Sequence, residues 1–155
     1  MSLAHPEFAN SALAGMDFSW FAIDDDGHVA WLMTFGSAVV PRWVDERSDD
    51  FDDLEGALAR LPELGGCISG ETPGNIEQWR AAARSGVFAY DWAVYRGPYN
   101  VVAAPVTSLM VEALPPDLAK LARRTHFAGL CFRDRPTLGV HDVLACRQGV
   151  SRPAL

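Results

Sequence analysis

Three stretches of this chain carry side chains whose types and spacing could do chemistry. The first is the acid-rich run Asp45, Glu46, Asp49, Asp50, Asp52, Asp53 and Glu55, which is opposed within the run by Arg47 alone. Carboxylates at that density make an electrostatic docking patch for a basic partner. They also suit the first turn of a helix, where the macrodipole favours negative charge. The second stretch is Asp24-Asp25-Asp26-Gly27-His28. It begins like a calcium loop, but such a loop spreads its ligands over about twelve residues, ends in a bidentate Glu and sits between helices. Here position 35 is Phe and the flanking runs are apolar. Asp-Gly between two such runs reads as a hairpin turn. The third stretch is Phe88, Tyr90, Asp91, Trp92, Tyr95 and Tyr99. These aromatic residues could line a ligand pocket, with Asp91 or the distant His126 as its titratable group. Alternation instead puts Phe88, Tyr90 and Trp92 on one strand face, as a core requires.

Other chemistries find no support. There is no Gly-x-Ser-x-Gly elbow and no glycine-rich phosphate loop. Four histidines (His5, His28, His126, His141) and three cysteines (Cys67, Cys131, Cys146) lack the close pairing of zinc ligands. The nearest mixed pair, His126 and Cys131, is five residues apart, and a strand would point the two to opposite faces. Cysteines in apolar strands are usually inert packing. No catalytic residue, metal or cofactor is therefore expected.

The chain has 155 residues, 49% of them hydrophobic, and a net charge of −7. That is enough apolar material for one core without disulfides. The acidic balance argues against nucleic acid and anionic membrane, which both need a basic face. An odd, widely spaced set of cysteines fits a reducing compartment, so a cytoplasmic location is expected. The opening residues show no secretion signal. The longest apolar run, about Val101 to Val106, is far short of the ~20 residues of a membrane span. We expect a loosely held segment at 1–15, one domain at 16–148 and a tail at 149–155.

The elements that must position these residues follow from periodicity and punctuation. Aromatic-rich runs on either side of Gly27 predict strands at 18–24 and 28–35. Phe51, Leu54, Leu58 and Leu61 predict a helix over 50–61, ended by Pro62. Cys67-Ile68 reads as a short apolar piece in a loop. Ile76, Trp79 and Ala83 predict a helix over 76–85, N-capped by Asn75 with Gln78 reaching back and closed by Gly86. Strands are expected at 87–95 and 99–106 around Gly97-Pro98. A helix opens at Pro115-Pro116, and strands follow at 125–132 and 140–147. Paired strands with short turns imply an α+β fold: a mostly antiparallel sheet built from hairpins, with three helices packed on one face. An exposed strand at 99–106 could pair with a second copy, making a homodimer.

The run Trp20-Phe21-Ala22-Ile23-Asp24-Asp25-Asp26-Gly27-His28-Val29-Ala30 resembles the opening of a group of bacterial proteins without an assigned activity. Members of that group carry a stretch similar to Phe88-Ala89-Tyr90-Asp91-Trp92, followed by a strand like Tyr99 to Pro105. Small acidic bacterial α+β proteins of this kind include toxin-neutralising immunity proteins. The resemblance thus allows an immunity-type role, and the acidic run 45–55, which could steer a cationic partner, makes a non-catalytic protein-binding module the expected function. The alternative from the residues themselves is a small hydrolase or ligand-binding enzyme with an aromatic-lined pocket.

Overall fold

The Asp-Gly turn and the apolar runs beside it build the centre of the protein. In the computed structural model, which describes residues 8–9, 18–34, 38–69, 77–92 and 97–149, Gly27 takes a φ of +83°. That is the left-handed conformation the turn demands. Strands β2 (Ser19–Asp24) and β3 (Val29–Met33) pair antiparallel on either side of it. Preceding them is β1 (Phe8–Ala9), paired with β4 (Val40–Pro41). Then follow α1 (Arg42–Asp45), α2 (Leu54–Ala59), β5 (Cys67–Ser69), α3 (Glu77–Arg84), β6 (Phe88–Trp92) and β7 (Tyr99–Pro105). The chain continues through α4 (Pro116–Ala122), β8 (Thr125–Phe127), β9 (Thr137–Leu138), α5 (Val140–Ala145) and β10 (Arg147–Gln148).

The α+β class is as expected, but the sheet is mixed rather than mostly antiparallel. Its order is β10-β8-β2-β3-β6-β7-β5, with β9 also on β7. Within each hairpin the pairing is antiparallel, whereas the joints between hairpins, β3 with β6 and β2 with β8, are parallel. Turn residues report only on the two strands they connect, so these long-range joints left no local mark. Strand β7 is not an edge either: β6 lies on one side of it and β5 with β9 on the other. Pairing of 99–106 with a second copy is therefore not open.

Five α-helices are described, not three, and they cover both faces. Helices α2 and α4 pack on β2, and α3 packs on β5, β6 and β7. On the opposite face α5 packs against β4, β8 and β9. The segment 140–147 is thus mainly helix, not strand. The Gly139 N–H donates to the Asp142 carboxylate at 2.7 Å, the reach-back half of a capping box. Val143 turns inward beside it. The predicted helix 50–61 is split into a 3-10 turn, Ser48–Phe51, and α2. Asp52 and Asp53, poor helix formers, fall at the break. The expected inward face survives, since Phe51, Leu54 and Leu58 are buried. The expected strand 125–132 ends at Phe127, because Gly129 turns the chain with a φ of +83°. Of the expected terminal segments only Phe8–Ala9 and Gly149 are described, and Asn75 and Tyr95 lie outside the described residues.

Rings from β2, β6, β7 and β8 fill one side of the sheet. Trp20 stacks on Phe127, and Trp92 meets Tyr99 edge-on at 4.8 Å between ring centres. Phe132 packs against Tyr90 and Phe88. The polar tips are satisfied in place. Trp20 donates to the Tyr99 hydroxyl at 3.1 Å, Tyr99 donates to the Val39 carbonyl at 3.0 Å, and Tyr90 donates to the Arg135 carbonyl at 2.7 Å. Burial pushes both phenols above their ordinary range.

Candidate functional site

Two clusters of acids flank this scaffold, and they are built in different ways. At the β2–β3 turn every aspartate is held by the protein. Asp24 is 1% exposed. Its Oδ1 accepts from the backbone N–H groups of Asp26 and His28, both at 2.9 Å, and its Oδ2 accepts from that of Phe132 at 2.8 Å. Asp25 accepts from the Gly129 N–H at 2.9 Å and pairs with His126 Nε2 at 2.9 Å. Asp26 accepts from the Cys131 thiol at 2.9 Å. The turn therefore fastens the 129–132 loop to the hairpin. His126 and Cys131 meet it through neighbouring aspartates, since strand alternation stops at Phe127.

This arrangement does not make Cys131 a nucleophile. The Asp26 carboxylate that accepts its proton, helped by partial desolvation and the charges of Asp24 and Asp134, pushes its pKa up to about 11. A reactive cysteine needs the opposite environment, one that stabilises thiolate. Among the described residues no group of histidines, cysteines and acids is arranged to hold a metal ion.

The second cluster borders a groove on the helical face. Here the inner wall is Trp31, 1% exposed on β3. Phe21 on β2 and Ala89 on β6 flank it in register. Phe51, Trp79 on α3, Phe18 and Met33 continue the apolar wall of a cavity of about 420 Å³. Asp52, Glu55, Gln78 and Asp91 provide its polar lining. A second cavity of about 650 Å³ adjoins it, sharing Trp31, Asp52, Glu55 and Gln78 and adding Asp53 and Arg60. Gln78 donates to Glu55 at 2.9 Å, linking α3 to α2 across the groove. The expected reach-back to Asn75 lies outside the described residues. The indole N–H groups of Trp31 and Trp79 are buried and have no acceptor among the described residues. A donor left so costs about 1–3 kcal/mol.

The acid-rich run thus divides. Glu46 pairs with Arg42 at 3.3 Å. Asp50 pairs with Arg124 at 2.6 Å and Arg47 at 3.1 Å, and the Arg124 hydrogen bond leads in holding its carboxyl below the usual range. Asp45 is half-buried. Asp49, Asp52, Asp53 and Glu55 are exposed and have no cationic partner among the described residues. Arg47 is therefore not the only opposing cation, because Arg124 arrives from far along the chain.

Among the described residues, the rings expected to line an aromatic pocket on 88–99 do not line one. Tyr90, Trp92 and Tyr99 are sealed in the core at 0%, 2% and 0% exposure. Asp91, on the other face of β6, lines the Trp31 cavity. His126 lines a different cavity, beside the hairpin turn. Asp91 and His126, each named as the titratable group of such a pocket, therefore line separate cavities. Trp31 and Trp79 were not among the expected ligand residues. Trp79 did stand on a predicted inward helical face, but nothing local showed which strand face it would meet. No protein-family model, curated protein or solved structure matches this chain.

Proposed function

We propose that this protein is a non-catalytic binding module that docks a basic protein on the acidic face around α2. The observation that supports it is the set Asp49, Asp52, Asp53 and Glu55, exposed and without cationic partners among the described residues, beside a groove with an apolar wall. Charge of that kind steers a cationic partner and favours one docking face, while the apolar wall supplies burial. The resemblance at 20–30, 88–92 and 99–105 makes a toxin with a basic face the partner class of choice, in the manner of an immunity protein. No helix among the described residues is long and apolar enough to cross a membrane.

The test is binding to small basic proteins by calorimetry over a salt series. The wild type is compared with a variant carrying Asp49→Asn, Asp52→Asn, Asp53→Asn and Glu55→Gln. Affinity should fall at least about ten-fold in the variant and decline steadily with salt. Binding unaffected by both changes would remove the reading.

A further inference from the structure

We propose that the cavity walled by Trp31, Phe51 and Trp79 and edged by Asp52, Glu55 and Asp91 seats the side chain of an arginine from the docked partner. This rests on the docking function above and assigns it a specific anchor. Three observations carry it.

First, the lining joins aromatic faces to carboxylates, the combination that a planar cation recognises. A guanidinium stacks on an indole and forks two hydrogen bonds to a carboxylate. Lysine offers a compact, strongly hydrated charge and uses the flat wall less well. Second, the carboxylates are graded in depth. Asp52 and Glu55 are exposed, while Asp91 is half-buried on β6. Arg60 lines the adjoining cavity but makes no ion pair with them among the described residues. Third, Trp31 and Trp79 both line the cavity, and the indole N–H of each is buried and without an acceptor among the described residues. A free cation has no acceptor to offer such a donor. A peptide backbone beside the arginine has carbonyls.

The space agrees with this occupant. At about 420 Å³, the cavity falls within the usual range for ligand pockets. The adjoining cavity of about 650 Å³ extends the groove along α2 and gives the flanking peptide a course.

Calorimetry with three capped tripeptides tests the proposal: Ala-Arg-Ala, its lysine counterpart and its citrulline counterpart, each at low salt and millimolar concentration. Citrulline keeps the shape of arginine and removes the charge. The arginine peptide should bind at least about ten-fold more tightly than the citrulline peptide and several-fold more tightly than the lysine peptide. Trp79→Leu should weaken arginine binding about five-fold or more. If that variant unfolds by circular dichroism, Asp52→Asn with Glu55→Gln, at exposed positions, provides the same comparison. Equal binding of arginine and lysine peptides, insensitive to these substitutions, overturns the anchor and leaves docking as diffuse charge attraction. Basic proteins that bind while no arginine peptide does also overturn the anchor alone. Failure of both peptides and basic proteins overturns the anchor together with the docking function.

Discussion

The hairpin turn and the α2 groove use the same residue type to opposite ends. At the turn each aspartate has donors supplied by the chain: backbone N–H groups for Asp24 and Asp25, a histidine for Asp25 and a thiol for Asp26. At the groove, Asp49, Asp52 and Asp53 have no such donors among the described residues, and Glu55 has only a surface glutamine. Internal donors turn a carboxylate into a structural fastener. Without them it keeps its charge for something outside the chain. A count of acids in a sequence therefore says little until their donors are known.

The sharpest way to break this contrast is to remove Asp24. Its buried carboxylate satisfies three backbone donors from two segments. Asp24→Ala should cost about 3–4 kcal/mol, since hydrogen bonds to charged groups contribute about 1.5–3 kcal/mol each and are not additive. At this chain length that lowers Tm by roughly 10 °C. Thermal and urea unfolding measure it. A loss below about 1 kcal/mol would mean that the turn is not a fastener.

Cys131 offers a second, smaller lever on the same region. With its pKa near 11 the thiol should alkylate slowly at pH 8, well behind the half-buried Cys67. Asp26→Asn removes the leading cause of that shift and should speed iodoacetamide labelling of Cys131 about ten-fold or more. Peptide mapping by mass spectrometry after timed labelling distinguishes the two sites. No change in rate would show that Asp26 does not control the thiol.

Much of the fold could be read locally, and what could not is physically instructive. Asp-Gly at 26–27, Gly86 with its φ of +98° and Pro116 at the start of α4 each act through neighbouring backbone, so the sequence displays them. The buried trio Phe51, Leu54 and Leu58 shows through its spacing even where the helix breaks. Parallel pairing of β3 with β6 is different, because its partners are separated by everything from Thr34 to Val87. The same holds for the candidate site. The acid-rich run was visible as charge, but its sorting was not: the strongest partner of Asp50 is Arg124, 74 residues away. Trp31 and Trp79 become two walls of one cavity only when α3 packs on β6, the strand beside β3.

Asp50 tests that sorting by pH. Its folded-state pKa lies below the ordinary carboxylate value, chiefly through the Arg124 hydrogen bond. Such a group contributes stability that is fully present above its unfolded value and is lost as pH falls through the folded one. Glu77, lowered by Arg84, acts in the same direction. Asp50→Asn should therefore lower the neutral plateau a little and leave Tm near pH 2 unchanged, so that the fall in Tm below about pH 4 is flattened. Thermal unfolding from pH 2 to 7 checks this. An unchanged acid limb would place Asp50 with the groove acids rather than with the paired ones.

The groove acids themselves should give the smallest stability effect, and that near-silence is their diagnostic. Asp49→Asn, Asp52→Asn, Asp53→Asn and Glu55→Gln remove four charges that lie close together and have no cationic partner among the described residues. Like charges so placed repel, so neutralising them relieves strain in the folded state. The only described contact altered is the exposed Gln78–Glu55 hydrogen bond, and surface contacts of that kind contribute little. The combined variant should keep its unfolding free energy within about 0.5 kcal/mol of the wild type, or gain slightly. The gain should fade in high salt, where the repulsion is already screened. Urea unfolding at low and high ionic strength measures both effects. A loss above about 1 kcal/mol, persisting in salt, would mean that these carboxylates have internal donors after all, and the groove would then be a second fastener rather than a docking face.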